Sequence, residues 1–446
     1  MSFLTDINLP SLRRFGYDQG VMSGLLSGDA FTARFPEIDT TSTGHKRSSL
    51  QGRVVAIYEI GCFTGAIISL MVGERLGRRK SILAGCVILA IGAALQCSVY
   101  GIPQLIVGRI VASVGNGLNT STIPVWHSEL SKATSRGKGL AIELAINIFG
   151  VMMSYWVDYG FNFVESEVQF RFPIALQILF AILTVIGVIF VPESPRWLIK
   201  HGHGEKARHV IWRLQDNAKE IDENDAVVGI EVQQISEAII EETEASAEGS
   251  FEHFFQNGDQ KFLHRTLLGR RKLMMFAVVG QGCCMAILAG TVWSCGHSAG
   301  LVATVMLFMF NFFFAVGLLV IPWLLPAEYS PLAIRTRSAA LATATNWICT
   351  FLVVEITPVS IANIGYGTHV YFANSSSLQL ICFLPLIYFF YPETRNLTLE
   401  QIDKLFTGGK VNLYWHPSMG MAGDVDSRIT QSKEMEAGAG DTEHVE

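Results

Sequence analysis

Apolar residues in this chain gather into long runs. Nine of them approach bilayer length, at 54–73, 82–99, 102–125, 139–159, 173–191, 273–293, 301–325, 339–364 and 370–391. A run of about 20 apolar residues crosses a bilayer as a helix. The runs at 82–99 and 301–325 hold no charged residue. One buried core helix can imitate one such run, but nine in succession predict an all-α, polytopic transmembrane helix bundle. A shorter apolar stretch, 15–26, follows directly on Arg13 and Arg14. It is too short to cross alone and reads as part of a first span.

Composition agrees. Half of the residues are hydrophobic, 16% are charged, and the mean hydropathy is +0.35. A soluble domain needs more surface charge than this. The net charge of −6 collects in one loop and the tail and suggests no nucleic-acid partner. The eight cysteines lie in or beside the runs without metal-binding spacing, so they read as small packing residues. No cofactor is expected, and residues 1–14 lack the apolar core of a signal peptide.

Basic residues set an orientation. They cluster at Arg75, Arg78, Arg79 and Lys80, at Lys132, Arg136 and Lys138, at Arg270, Arg271 and Lys272, and at Arg335 and Arg337. The short loops 98–101, 294–300 and 365–369 have neither Lys nor Arg. Counting spans places every cluster on one side, which the positive-inside rule makes cytoplasmic. The first loop, with Arg34, Lys46 and Arg47, is longer and mixed in charge, so it weighs less. Both termini are then cytoplasmic. Residues 200–268 form a charged cytoplasmic loop with short amphipathic helices. Ala207, Val210, Ile211 and Leu214 share one face there, and Val232, Ile235 and Ile239 another. The tail, 406–446, is expected to be disordered.

Three marks recur in order. Gly77-Arg-Arg-Lys80 returns as Gly269-Arg-Arg-Lys272. Glu129 with Arg136 returns as Glu328 with Arg335, and Pro192-Glu193 returns as Pro392-Glu393. The last two pairs are offset by 199 and 200 residues. This predicts two homologous halves, an N-terminal bundle at 1–199 and a C-terminal one at 269–405, an architecture of secondary transporters. The halves are unequal, because no hydrophobic sequence precedes Gly269 as it precedes Gly77. Two spans are missing there, and losing an even number preserves the orientation of the later ones.

These marks resemble the sugar porters of the major facilitator superfamily, especially fungal monosaccharide/proton symporters. The matching residues are Phe15-Gly-Tyr-Asp18 through Gly24, Gly73-Glu-Arg-Leu-Gly-Arg-Arg-Lys80, Gly108-Arg109, Glu129 with Arg136-Gly137, and Pro192-Glu-Ser-Pro-Arg-Trp-Leu198. In the second half they are Pro322-Trp323, Pro326-Ala-Glu328 with Arg335, Asn346-Trp347, and Pro392-Glu-Thr394 with Leu399-Glu400. The resemblance implies twelve spans, of which this chain holds the end of the first, spans 2–6 and spans 9–12. The join inside Gly269-Arg-Arg-Lys272 points to spans 7 and 8 lost in a gene model or in splicing. The family's glutamine-rich sugar motif of span 7 has no match here, and Leu144 stands where the family usually has a sugar-contacting glutamine.

A carboxylate at membrane depth is costly and is a functional candidate by default. Asp18 is the first, with Arg109, the one basic residue of its run, as expected partner. Burial favours the acid and a nearby arginine the carboxylate, so such a pair can take and release a proton. The resemblance assigns this pair to proton coupling, while the plain alternative leaves Asp18 in water at a helix end. The resemblance also makes Phe15, Trp323, Asn346 and Trp347 sugar-binding candidates. Aromatic faces stack on a pyranose and amides pair with its hydroxyls, although the tryptophans could simply pack or sit in an interfacial belt. Arg78, Arg79, Glu129, Arg136, Glu193, Arg196, Glu328, Arg335 and Glu393 form a candidate cytoplasmic gate of ion pairs made and broken as the halves rock. The alternative is that the positive charges only hold their loops inside. Glu59, Glu143 and Glu355 read first as interhelical or end-of-span groups, with Glu143 near enough to Arg136 to join the gate.

The expected function is therefore transport of a hexose or pentose with protons by alternating access, in the plasma membrane, and not catalysis. The expected partners are the sugar, the proton and the lipid bilayer, with no obligate protein partner evident. A non-transporting sugar sensor and an inactive, truncated transporter are the competing readings. The short tail weighs against the sensor.

Overall fold

A computed structural model describes residues 16–26, 28–38, 48–131, 136–215, 222–246, 271–293, 297–319, 323, 330, 332–364 and 371. Regular structure among them is helical. Helix α1 covers residues 16–25, followed by α2 (Asp29–Arg34), α3 (Ser48–Leu76), α4 (Arg78–Cys97), α5 (Ile102–Leu130), α6 (Arg136–Phe161) and α7 (Val168–Phe190). Short helices α8 (Pro195–Lys200), α9 (Gly204–Leu214) and α10 (Ala226–Ser246) come next. The second half supplies α11 (Arg271–Trp293), α12 (His297–Phe313, running into a π-helical turn at Phe314–Leu318) and α13 (Leu332–Ile364).

Seven of the nine apolar runs coincide with long helices; 301–325 is described as helix as far as Leu318, and 370–391 lies outside the described residues apart from Tyr371. The helices outrun the apolar stretches because the backbone ladder continues into polar ends, as at Arg53 and Arg75 of α3. Four helices are long and apolar enough to cross a membrane on composition alone: α3, α4, α7 and the Arg335–Thr357 part of α13. Helices α5 and α6 match them in length, with 29 and 26 residues, but bury polar side chains, α5 all round its C-terminal half and α6 along one face. In α5 the hydroxyls of Thr120, Ser121, Thr122 and Ser128 donate to carbonyls three or four residues back. That bonding satisfies them inside their own helix, so they need no partner across the interface.

Close backbone approach sets the packing. A Cβ on Gly65 of α3 would lie 2.2 Å from the Val114 carbonyl oxygen, and one on Gly117 of α5 would lie 2.1 Å from that of Cys62. On the other side of α5, a Cβ on Gly92 of α4 would meet Ala112, and one on Gly115 would meet the Gly85 carbonyl. Helix α5 is thus wedged between α3 and α4 by glycines. Without a hydrophobic force between lipid-bathed helices, such contact is what holds a bundle together. Helix α1 follows the same rule: Gly16, Gly20 and Gly24 lie against Asn147, Ser154 and Asp158 of α6. Its other face buries Tyr17, Val21, Met22 and Leu25 in a cluster with Phe31, Phe170 and Ile174.

Helix α13 is the element of the second half that packs broadly on the first, against α3 and α5. The cytoplasmic-loop segment forms a small cluster of its own, where Ile211 of α9 meets Val228 and Ile235 of α10.

Glycine contact makes a direct prediction. Gly65→Ala should lower stability by about 1–3 kcal/mol, because α3 and α5 must part to admit a methyl group. Gly160→Ala, which has nothing within 4 Å of its Cβ position, should be neutral. The melting temperatures of the two variants in detergent check this.

Candidate functional site

Two groups of polar residues stand out, one where α3 turns into α4 and one midway along the bundle. The turn is made by Gly77 at φ +83°, a left-handed conformation that suits glycine. It aims the start of α4 at the Glu193 carboxylate, which accepts from the backbone N–H of Arg78 at 3.0 Å and of Arg79 at 3.1 Å. A carboxylate there satisfies orphan donors and the positive end of the helix dipole. The Arg79 guanidinium donates to the Ile189 carbonyl at 2.8 Å.

The Arg78 side chain turns inward. Its Nε and Nη2 donate to the two carboxylate oxygens of Glu129 at 3.0 and 2.9 Å, and the pair is almost fully buried. Arg196 of α8 donates to the Glu129 carbonyl at 3.2 Å. Ser194 also hydrogen-bonds the Glu129 side chain. Arg335 of α13, fully buried, donates to the Ser330 carbonyl at 3.2 Å and acts electrostatically on Glu129. Glu129 therefore stands between an arginine of its own half and one of the other half. Nearby, Trp197 Nε1 donates to the Glu74 carbonyl at 2.8 Å, and Lys200 pairs with the Glu74 carboxylate. Of the predicted gate, Arg78, Arg79, Glu129, Glu193, Arg196 and Arg335 converge here; Glu328, Glu393 and the side chain of Arg136 lie outside the described residues.

The second group centres on Tyr58 of α3, a residue that sequence reasoning did not single out. Its hydroxyl accepts from Asn116 Nδ2 at 2.7 Å. The Arg109 guanidinium sits 5.4 Å from its ring centroid, a cation–π distance. Trp347 of α13, fully buried, packs against Tyr58 and Cys62. Asp18, buried on α1, acts electrostatically on Tyr58, as do Arg109 and Glu59. Asp18 and Arg109 thus each act on the same tyrosine, and Arg109 Nη2 also donates to the Val55 carbonyl at 3.2 Å. Trp323 packs part-buried with Leu319 against Leu144, which gives the Leu144 side of the bundle an apolar wall. Asn346, beside buried Trp347, is exposed. Phe15 lies outside the described residues. The signal for Tyr58 was its place beside Glu59 in mid-run, but an aromatic residue in an apolar run carries no mark of function.

The remaining carboxylates are placed between helices. Glu355 on α13 lies 3.8 Å from Arg53 on α3. Glu59 lies within the electrostatic reach of Arg109. Glu143, expected near Arg136, has His127 of α5 as its described neighbour, at 3.7 Å.

The arrangement is that of a membrane transporter of the major facilitator type. The proton:xylose symporter XylE bound to 6-bromo-6-deoxy-D-glucose shares the fold with a TM-score of 0.74 and 22% identity, over 91% of this chain and 98% of that one. Sugar transporter STL1 of Saccharomyces cerevisiae is 34% identical, with 91% of this chain and 81% of that protein covered. MFS-type transporter oryC of Aspergillus oryzae is 34% identical over 90% of this chain and 84% of its own length. The model of the family described as sugar (and other) transporter matches residues 11–268 and 265–406. The chain belongs to that family, as a multi-pass membrane protein and not an enzyme.

Arg78→Ala should destabilise the protein by about 3–5 kcal/mol, because it strands a buried carboxylate. Combining Arg78→Met with Glu129→Leu should restore most of that loss. Thermal unfolding of the purified protein in detergent measures both, and the double variant should also lose control of the gate in uptake assays.

Proposed function

We propose that this chain moves a monosaccharide, a hexose or a pentose, together with a proton by alternating access. The observation that carries the reading is Tyr58. It touches Trp347, a sugar-stacking candidate, while Asp18 and Arg109 act on its ring and hydroxyl. A sugar seated on Trp347 would therefore sit one side chain away from the proton pair. Binding of either ligand alters the field or the packing at the same tyrosine, which is the coupling that symport needs. The similarity to a yeast sugar transporter and to a proton:xylose symporter supports this class of cargo.

Glu129 between Arg78 and Arg335 supports a latch that closes one end while the other is open. In this reading the latch end faces the cytoplasm, both termini lie there, and the membrane is the plasma membrane. When the latch breaks, rigid-body rocking opens the cytoplasmic side. Arg136, Glu328 and Glu393 complete the latch by their motif positions, and Phe15 and Asn346 complete the sugar site.

Two spans absent before α11 form part of the proposal. The family match comes in two pieces that meet at 265–268, and the alignment to the yeast transporter runs over 469 positions, more than the 446 residues of this chain. A second reading follows from the same gap. Phe308 and Leu301 of α12 are 73% and 62% exposed, so the second half presents an apolar face that absent spans would cover, and the chain is then too unstable to transport.

Uptake of labelled glucose and xylose in transporter-deficient yeast separates these readings. Accumulation with alkalinisation of the medium supports symport, and failure to reach the membrane supports the second reading. Asp18→Asn should abolish accumulation against a gradient and leave exchange intact; unaltered accumulation would remove Asp18 from the mechanism. Sequencing of the transcript between the codons for Leu268 and Arg270 checks the absent spans.

A further inference from the structure

Helix α6 carries a row of buried polar side chains that the mechanism above does not use. Asn147, Ser154 and Asp158 fall on one face at spacings of seven and four residues, and each is at least nine-tenths buried. That face lies against the glycines of α1, and the contact is closest at its far end. A Cβ on Gly24 would fall 2.2 Å from Asp158 Oδ2 and 2.5 Å from Asp158 Cβ. Both carboxyl oxygens of Asp158 are buried and have no hydrogen-bond partner among the described residues.

A buried carboxyl in that state is not a structural ion pair. Without a donor, an ionised carboxylate at this burial is costly, and such groups persist where they exchange protons. The surroundings of Asp158 are correspondingly free of fixed charge. On α1, Tyr17 feels both Asp158 and Asp18 electrostatically, while its hydroxyl donates to the Pro173 carbonyl. The one charged residue of α7, Arg171, is held by Glu167 and the carbonyls of Cys97 and Val99. Glu165 and Glu167, in the turn that follows α6, are exposed, as are Asp29 and Arg34 of α2. Helix α5 presents His127 to the opposite end of α6, at Glu143.

We infer that Asp158 is a second proton-carrying carboxyl, on the outer side of Asp18, from which protons reach Asp18 through water admitted around α1. This rests on the proton-coupled reading above. Gly24, the neighbour of Asp158, is six residues beyond Asp18, about 9 Å along the helix at 1.5 Å per residue. Water admitted when the outer end opens spans that interval. One proton moves: the O–H bond at an Asp158 carboxyl oxygen breaks, a water chain carries the proton inward, and an O–H bond forms at Asp18. The negative charge passes from Asp18 to Asp158, which then reloads from the outer medium.

The test uses the full chain in transporter-deficient yeast, with labelled glucose and xylose, over a range of external pH. Asp158→Asn keeps the shape of the side chain against Gly24 and removes the acid. The pH midpoint of uphill uptake should move by about one unit, while exchange of sugar across the membrane and KM stay as in the wild type. A purely structural role would instead impair exchange along with uptake. An Asp158→Asn chain with the wild-type pH profile overturns the relay and leaves the symport reading standing. A wild-type chain whose uptake ignores pH removes both. Should Asp158→Asn fail to reach the membrane, Asp158→Glu carries the same measurement, since it keeps an acid one methylene further out. A displaced midpoint then supports the relay, and an unchanged one overturns it.

Discussion

Close contact between helix backbones is the constraint on which the rest of this structure depends. In lipid, apolar side chains gain nothing by leaving their surroundings for one another, so helices associate where they fit. Here the fit is made by glycines at 65 and 117 between α3 and α5, at 92 and 115 between α4 and α5, and at 16, 20 and 24 between α1 and α6. A helix held this closely cannot rotate freely. Its polar residues are therefore committed to fixed directions, and that commitment allows charges to be buried at all. Asp18 rides on the helix whose glycines lie against α6, and Arg109 on the helix wedged between two others.

Charge burial then divides into two kinds. Some charges are answered in full: Arg78 by both oxygens of Glu129, the start of α4 by Glu193, Arg171 by Glu167 and two carbonyls. Such contacts are specific in geometry and can be made or broken as units, which suits a latch between rigid bodies. Deeper in the bundle the carboxyl groups are answered more sparsely. Among the described residues Asp158 has no donor, and Glu143 has a histidine at 3.7 Å with one oxygen left without a bond. The difference has a physical sense. A fully bonded carboxylate stays ionised through the whole cycle, whereas one that is sparsely bonded can change its protonation when water arrives.

Much of the fold was legible because hydropathy in a membrane protein reports one thing, the crossing of a lipid layer, and reports it in long runs. The ends were less legible: α3 begins at Ser48 and α13 reaches Ile364 because backbone hydrogen bonding continues where hydropathy stops. The charged cluster was legible, since Arg78, Glu129, Glu193, Arg196 and Arg335 are conspicuous among apolar neighbours. Tyr58 was not, because its role lies in what converges on it from three other helices, and convergence leaves no trace in a linear pattern. Glu143 reads from the sequence as a neighbour of Arg136, whose side chain lies outside the described residues; its described neighbour is His127 of α5.

The unequal halves bear on how any motion would be transmitted. Among the described residues, α11 and α12 pack on each other, with Met285 and Leu288 against Ala303, Met306 and Phe310. The broad contact with the first half runs through α13 alone, along α3 and α5. Arg335 at one end of α13 reaches the latch, Trp347 in its middle reaches Tyr58, and Glu355 further on reaches Arg53. One helix therefore touches the latch, the node and the opposite rim. A tilt of α13 against α3 would loosen contacts at one end while tightening them at the other, with Trp347 near the pivot. Rocking of that kind needs a stiff lever and a stiff support, and the glycine-packed first half supplies the support. The lever is a single helix of 33 residues, so its rigidity depends on what packs behind it.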